Sequence, residues 1–303
     1  MKKQLNLYFG RSLWRFILTL FLLFFTYVSF GTNYYVATTG DNSDGLSWAT
    51  AYTSIQNCIT AESLVTGDIV NLAAETFNQP STVSHDDDYG FTYQGQGVGS
   101  TIIQGALTQP LFTFEDCPNM SCNDVVWRDL TLKDGRGEGA AINAGDGIQY
   151  STGFDLYNVF IDNCDPNGGY GALSFDAVNY DATKMHILSN VTVTGCNSTS
   201  DGPGGMYVHY HSVSITDSKF SNNSGTGASG AGGISFVDAN DRHNMNITIT
   251  NTIFDGNTSS QDASFGGAAI FTWDVASMTV EDCTFSNNDE ASVDGGAILL
   301  DGS

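Results

Sequence analysis

The chain has 303 residues, with 33 acidic and ten basic side chains, and its formal net charge at pH 7 is −23. So acidic a surface would repel nucleic acid and anionic membranes, and acidic polysaccharides unless metal ions screen the charge, which argues against a nucleic-acid partner. The 34 glycines, the 14% of charged residues and the near absence of Leu-rich helical periodicity are typical of a turn-rich all-β protein.

Residues 1–31 have the pattern of a secretory signal peptide. Four basic residues come first, an apolar run covers 16–28, and small residues follow at Ser29 and Gly31. The alternative is an uncleaved N-terminal anchor, although the apolar run is short for a membrane-spanning helix. Cleavage after Gly31 would leave six basic residues against 33 acidic ones, a net charge of −27.

Residues 32–124 are predicted to form an N-terminal cap and the first coils of a repeated structure. Trp48, Tyr52, Ile55 and Ile59 follow helical spacing, and Ser54 is a suitable N-cap, so we expect a short amphipathic helix at about 52–63. Such a helix would cover the first unpaired strand edge. The apolar segments 69–72 and 102–103 would belong to the first coils.

Residues 125–303 contain a pattern that occurs six times. An apolar residue is followed at +2 by Asn or Asp, at +5 by another apolar residue and at +8 by Asn, Cys or Gly. The six anchors at +2 are Asp129, Asn158, Asn190, Asp217, Asn251 and Asp282. Each copy is followed by a glycine-led apolar segment, for example Gly232-Gly-Ile-Ser-Phe236.

A period of about 30 residues with short alternating segments and no helix predicts a parallel β-helix solenoid. Stacked coils would rise by about 4.8 Å, the spacing of paired strands. Equivalent side chains would then form columns, and the predicted ladder residues are Asn158, Asn190, Asn223, Asn251, Asn257, Asn288, Phe220, Phe254 and Phe285. Nothing in the sequence caps the last coil, so we expect the repeats to continue in a longer protein.

The six cysteines could pair if the chain is exported. Cys117 and Cys122 are close enough for a local bridge, with separate thiols as the alternative. Cys164, Cys196 and Cys283 fall inside repeats, where small buried thiols are the simpler interpretation.

Candidate catalytic residues are few. Arg128, Lys133 and Arg136 could clamp an acidic substrate, or could be solvated side chains at a turn. Asp176, Asp238 and Asp301 each follow a glycine-led strand, which predicts one side of the stack with successive carboxylates roughly 10 Å apart. Ordinary turn chemistry would also explain these aspartates.

His209 and His211 are two residues apart, which predicts one face of a strand and a potential metal-binding pair, although the sequence offers no third ligand. A surface patch of aromatic and imidazole rings is the alternative. Calcium could bind the oxygen-rich segments around Asp41 and Asp44 or around Asp86 and Asp88, but solvated turns also explain them. The sequence requires no cofactor.

The Phe-x-x-Asn blocks at 220, 254 and 285, together with Gly295-Gly-Ala-Ile298, resemble the repeats of chlamydial polymorphic outer membrane proteins. The opening Tyr34-Tyr-Val36, Ser47-Trp-Ala-Thr-Ala-Tyr52 and Gly67-Asp-Ile-Val70 are similar to the start of secreted pectate-lyase-like proteins. These resemblances cover most of residues 34–303 and imply a right-handed parallel β-helix. The fold itself serves adhesins, lyases and glycosidases.

Our leading hypothesis is therefore a non-catalytic adhesin or stalk on the surface of a Gram-negative bacterium. Its partners would be extracellular polysaccharide or surface proteins, with membrane attachment only through a region beyond residue 303. The alternative is a polysaccharide lyase or glycosidase. An enzyme should show Asp, His and Arg side chains from adjacent coils converging, with catalytic candidates Asp176, Asp238, His209, His211, Arg128 and Arg136.

Overall fold

The computed structural model describes residues 31–85, 90–114, 124–144, 153–167, 170–176, 185–227, 230–238, 245–260, 267–290 and 296–301. Its helix is α1 (Ile55–Ala61), and its strands in chain order are β1 (Asn33–Val36), β2 (Ile69–Leu72), β3 (Thr76–Asn78), β4 (Val83–His85), β5 (Thr92–Gln94), β6 (Ile102–Gln104), β7 (Phe112–Phe114), β8 (Val125–Lys133), β9 (Ile142–Ala144), β10 (Phe154–Asp162), β11 (Leu173–Asp176), β12 (Met185–Thr194), β13 (Asn197–Asp201), β14 (Met206–His209), β15 (Ser212–Thr216), β16 (Lys219–Ser221), β17 (Ser224–Thr226), β18 (Ile234–Val237), β19 (Asn246–Thr250), β20 (Ile253–Asp255), β21 (Thr258–Ser259), β22 (Ile270–Trp273), β23 (Ser277–Glu281), β24 (Thr284–Ser286), β25 (Asp289–Glu290) and β26 (Ile298–Asp301).

The described strands form three parallel sheets, which we call sheets 1, 2 and 3. Sheet 1 is built around the order β1-β2-β5-β8-β10-β12-β15-β19-β23. Sheet 2 runs β4-β7-β9-β11-β14-β18-β22-β26, and sheet 3 runs β13-β17-β21-β25. The chain visits the sheets in turn and pairs each strand with its equivalent one coil away, which is the predicted solenoid.

Two rows of left-handed residues shape each coil. The six repeat anchors all have φ between 48° and 57°, from Asn251 to Asp129. A second row consists of Asp134, Asn163, Gly195, Asn222, Gly256 and Asn287, all with positive φ. Asn, Asp and Gly accept this conformation most readily, which explains why the repeat specifies them.

The core lies inside the coils and consists of stacked apolar columns. Trp127 pairs in register with Leu156, and Leu156 with Leu188, and all three are completely buried. Phe220 and Phe254 are stacked with ring centroids 5.5 Å apart, and Phe254 and Phe285 with centroids 4.9 Å apart. Burial of these columns is the main favourable contribution to the fold.

The glycine pairs directly before β14 and β18, Gly204-Gly205 and Gly232-Gly233, are required by close backbone contact. A Cβ on Gly205 would lie 2.3 Å from the Gly233 carbonyl oxygen, and one on Gly233 would lie 2.3 Å from that of Ala269. No larger residue fits these positions without moving the neighbouring coil.

The N-terminal helix is shorter than expected. Ser54 is its N-cap, and its Oγ accepts a hydrogen bond from Asn57 N at 3.1 Å. Trp48 lies in a separate 3-10 turn and is 45% exposed, so its predicted place on the helix is wrong. Ser54 still has extended dihedral angles, which stops the helix from extending towards Trp48. The helix packs against β1 and β4.

Candidate functional site

The outer face of sheet 1 carries two rows of side chains that run across the coils. The register places Thr92, Val126, Asp155, Ile187, Ser214 and Thr248 in one row and Gln94, Arg128, Tyr157, Ser189, Thr216 and Thr250 in the other. Most of these side chains are half-buried and polar. One group on this face differs because it combines two carboxyl groups, a guanidinium and a phenol ring. We call this group the Asp155 cluster, and it consists of Asp124, Arg128, Asp155 and Tyr157.

Asp155 is the unusual member of its row because it is only 8% exposed although its strand neighbours Phe154 and Leu156 occupy the core side. Its Oδ2 accepts a hydrogen bond from the Tyr157 hydroxyl at 3.3 Å. Its Oδ1 is buried and makes no hydrogen bond of normal geometry, although the Ile187 backbone N–H interacts with the carboxyl group and lowers its pKa. A buried carboxylate oxygen without such a bond is costly, and such atoms are often found where a protein binds a ligand or transfers a proton.

Burial, followed by the nearby Asp124 carboxylate, raises the pKa of Asp155 to about 6. Asp124 is held at the start of β8, where its Oδ1 accepts a hydrogen bond from Gly153 N at 3.0 Å. Burial and Asp155 also raise the pKa of Tyr157. Asp155 therefore changes its protonation state near physiological pH, whereas an ordinary aspartate remains ionised.

Arg128 completes the Asp155 cluster with an exposed positive charge. Its guanidinium carbon lies 4.5 Å from the centroid of the Tyr157 ring, a cation–π contact that fixes the side chain over the sheet. It forms no ion pair with any residue that the structure describes. Its charge partly opposes the rise in the pKa of Asp155. The cluster thus combines the hydrogen-bond donors of the Arg128 guanidinium, the aromatic ring of Tyr157 and a carboxyl group with a raised pKa.

The other predicted basic residues are occupied in ion pairs between coils. Lys133 Nζ lies 3.1 Å from Asp162 Oδ2, and Arg136 Nε lies 3.6 Å from Asp165 Oδ2. Lys133 is the last residue of β8, and Arg136 lies in the turn after this strand. The structure therefore does not bring Arg136 together with Arg128.

The predicted row of three aspartates is wrong at one position. Asp176 and Asp301 occupy the same column of sheet 2, which continues through His209, Val237 and Trp273. Asp238 lies one residue further on, is 1% exposed, and donates its backbone N–H to Trp273 O. The sequence Phe236-Val-Asp238 has one residue more after the core phenylalanine than Phe175-Asp176, and a shift of one residue reverses the face.

His209 and His211 do not share a face, so that prediction is also wrong. Strand β14 ends at His209, and Tyr210 has a φ of +64°, which interrupts the strand alternation. His209 Nδ1 contacts Asp176 Oδ1 at 2.7 Å on the outside. His211 points inward, where its Nδ1 lies 2.6 Å from His186 Nε2.

The calcium candidates behave as turn residues where the structure describes them. Asp41 Oδ1 accepts a hydrogen bond from Ser43 N, and Asp44 Oδ1 accepts one from Leu46 N, both at 3.0 Å. Asp86 and Asp88 lie outside the described residues, as do Cys117 and Cys122. In the described part of the chain, no three His, Cys, Asp or Glu side chains are grouped to hold a metal ion.

Asp124, Asp155 and Tyr157 were not singled out from the sequence. The available signal was an acidic residue within a nine-residue strand whose register neighbours, Val126 and Ile187, are apolar. The repeat pattern supplies the strand register that places Asp155 between these apolar residues, but it does not supply the burial of Asp155 or its proximity to Asp124.

Residues 121–303, well over half of the chain, match the protein family described as "Right handed beta helix region". The chain belongs to this family. A search of curated proteins finds no match. The described residues contain no helix with the length and hydrophobicity needed to cross a membrane.

Solved structures with a similar course of the chain are distant. A pectin methylesterase from carrot has 10% identity and a TM-score of 0.32, with coverage of 90% of this chain and 89% of that one. ORF18 of Geobacillus virus E2 has 11% identity and a TM-score of 0.30, with coverage of 100% and 66%. The A-module of a mannuronan C-5 epimerase from Azotobacter vinelandii has 14% identity and a TM-score of 0.29, with coverage of 88% and 99%. At these TM-scores the similarities support no functional assignment.

Proposed function

We propose that this β-helix protein is exported and binds an extracellular polysaccharide along the outer face of sheet 1, with the Asp155 cluster as the point of recognition. The observation that carries the proposal is the exposed Arg128 guanidinium, which forms no ion pair with any described residue and lies over the Tyr157 ring beside the nearly buried Asp155 carboxyl. That guanidinium can direct its hydrogen bonds to the oxygens of a bound sugar.

The geometry of the face suits an extended chain molecule. Equivalent side chains recur at about 4.8 Å from coil to coil, so one polymer can make repeated contacts along the stack. Serine and threonine hydroxyls in both rows offer donors and acceptors, and the Tyr157 ring offers an apolar surface for the C–H groups of a sugar ring. Arg128 supplies directional donors.

Binding can be tested by affinity electrophoresis in gels containing pectin, alginate or neutral glucans, with and without calcium. We expect slower migration of the wild type in at least one gel, and at least tenfold weaker binding for Arg128→Ala and Asp155→Asn. Arg136→Ala is the matched control, because it removes the same residue type from an ion pair outside the cluster. Equal binding by Arg128→Ala and the wild type would contradict the proposal.

A second candidate function is hydrolysis or lyase chemistry on the bound polysaccharide, and the pKa of Asp155 near 6 favours it. A carboxyl group that is protonated in part near neutral pH can donate a proton to a leaving oxygen, while the neighbouring Asp124 supplies a second carboxylate. Binding without turnover is the adhesin hypothesis, and binding with turnover is the enzyme hypothesis.

The two functions are separated by release of new reducing or unsaturated sugar ends from the polysaccharide that binds. With Asp155 as proton donor, turnover should decline as the pH rises above about 6 and should be lost in Asp155→Asn. Absence of product over a day at pH 5, with binding intact, would leave the adhesin function alone.

A further inference from the structure

Two buried cysteines occupy equivalent positions in neighbouring coils. Asp162 and Thr194 are paired in sheet 1, and Asn163 N donates to Thr194 O at 3.1 Å, so the two coils remain in register up to the residues before Cys164 and Cys196. Both cysteines are completely buried. The thiol of each points back towards the carbonyl oxygen two residues earlier, at 3.7 Å for Cys164 and 3.4 Å for Cys196.

The register of the two coils places the two thiols next to each other. Burial, followed by the hydrogen-bonded Cys164 thiol, raises the pKa of Cys196 well above its usual range. Strand pairing of Asp162 with Thr194, two residues earlier, sets the separation of the two backbones there at about 4.8 Å. That value lies within the Cα separations of roughly 4.4–6.8 Å that a disulfide spans.

Asparagines occupy the position of these thiols in the later coils of the stack. In the following coils the same position holds Asn223, Asn257 and Asn288, and the amide of each asparagine bonds to the next at 3.1 Å and 3.0 Å. Asn223 Oδ1 also accepts from Cys196 N at 3.0 Å. The asparagine side chains therefore connect their coils by hydrogen bonds, whereas the two small thiols give the second and third repeats only a weak contact at this position of the column.

We propose that Cys164 and Cys196 are a modification site that closes to a disulfide in an oxidising compartment and links two successive coils covalently. Export, if it occurs as proposed, would carry the chain to such a compartment, but the inference depends only on the geometry of the two thiols. This covalent rung would continue the asparagine ladder towards the N-terminus.

The oxidant is a small disulfide such as oxidised glutathione, or the disulfide of an oxidoreductase. One cysteine thiolate attacks it to form a mixed disulfide and releases one thiolate of the oxidant. The second cysteine thiolate then attacks the mixed disulfide, forms the Cys164–Cys196 bond and releases the other thiolate. Two electrons pass to the oxidant and two protons leave the cysteines. Because the folded chain buries both thiols, we expect the reaction while the coils assemble.

The test is peptide mapping of the full chain refolded in a glutathione redox buffer and alkylated after denaturation. We expect a cross-linked peptide pair that contains Cys164 and Cys196 and separates on reduction. Cys283 is the internal control, because its neighbour in the preceding coil is Thr252 and it should be alkylated. Recovery of Cys164 and Cys196 as separate alkylated thiols from natively folded protein would overturn the proposal.

A second measurement does not depend on mapping. The thermal midpoint of the oxidised wild type should exceed that of the reduced protein by roughly 5–10 °C. Cys196→Ser should remove this difference, whereas Cys283→Ser should keep it. An equal midpoint before and after reduction, with the cross-linked peptide absent, would again contradict the disulfide.

Discussion

At the scale of single residues, His186 is the buried group with the clearest titration behaviour. Phe154 N donates to His186 Nδ1 at 3.1 Å, so the ring proton lies on Nε2 and is donated to His211 Nδ1. Burial, followed by His211, lowers the pKa of His186 well below 6.5. The folded chain therefore holds this ring neutral.

This histidine should weaken the fold in acid. The unfolded chain binds a proton at His186 near pH 6.5 and the folded chain does not, so its stabilising contribution is complete above that pH and falls below it. We expect the difference in unfolding free energy between the wild type and His186→Phe to change by about 1.4 kcal/mol per pH unit below pH 6.5. Urea unfolding of both proteins at several pH values between 7.5 and 5 measures this difference in unfolding free energy. A constant difference across this range would contradict the buried neutral ring.

The contribution of Asp155 to stability depends on pH in the opposite direction. Its pKa in the folded chain, about 6, is above its ordinary value of 3.8, so stability increases as the pH falls through 6 towards 3.8. We expect Asp155→Asn to raise the unfolding free energy by about 3 kcal/mol at pH 7.5, and the gain to shrink to less than about 1 kcal/mol near pH 4. Urea unfolding checks both values. A destabilised variant at pH 7.5 would show that the carboxylate is held for stability and not for a ligand.

At the scale of elements, the buried asparagine column adds side-chain hydrogen bonds to the backbone pairing between coils. Asn257 is completely buried, its Nδ2 donates to Phe220 O at 2.9 Å, and its Oδ1 accepts from Asn223 N and Nδ2. The outer column differs, because Asn190 Nδ2 donates to Asn158 Oδ1 at 3.0 Å where water can compete. The same residue type therefore contributes differently in the two columns.

Substitution in the two columns should separate these contributions. Asn257→Ala leaves the Asn223 N–H and the Phe220 carbonyl without their partner, and we expect a loss of about 2–4 kcal/mol in unfolding free energy. Asn190→Gly keeps the left-handed backbone at φ 55° and should cost less than about 1 kcal/mol. Chemical denaturation compares them, and similar losses in both variants would refute the distinction.

At the scale of the whole molecule, the excess of acidic residues is the dominant long-range feature. The ion pairs of Lys133 and Arg136 neutralise two carboxylates between coils, but the net charge of the chain is −23. Repulsion between acidic side chains opposes stacking of the coils. At 0.1 M salt this repulsion is largely screened between exposed charges that are more than about 10 Å apart.

Added salt should therefore stabilise the solenoid. We expect the thermal midpoint to rise by a few degrees, roughly 3–6 °C, between 10 and 300 mM sodium chloride, because screening reduces the repulsion in the folded stack. Scanning calorimetry with sodium fluoride as a second salt distinguishes screening from specific ion binding. A midpoint that falls with salt would mean that attractive ion pairs outweigh the net repulsion.

The sequence by itself determined the coil. The positions of Asn, Asp and Gly fix the left-handed turns, and the apolar spacing fixes which side chains enter the core, because both depend on local backbone geometry that repeats every 30 residues or so. Asn223, Asn257 and Asn288 therefore lie in a predicted column, and the glycine-led segments form sheet 2.

Only the tertiary structure decided which side chains meet. Asp155 is distinctive because of its burial and its proximity to Asp124, neither of which a residue pattern contains. Asp238 and His211 left their predicted faces because one extra residue, or one left-handed residue at Tyr210, reverses the alternation of a strand. Side chains alternate between the two faces of a strand every residue, so a shift by one residue moves each of them to the other face. The chemistry of the site therefore depends on how the strands of neighbouring coils are aligned.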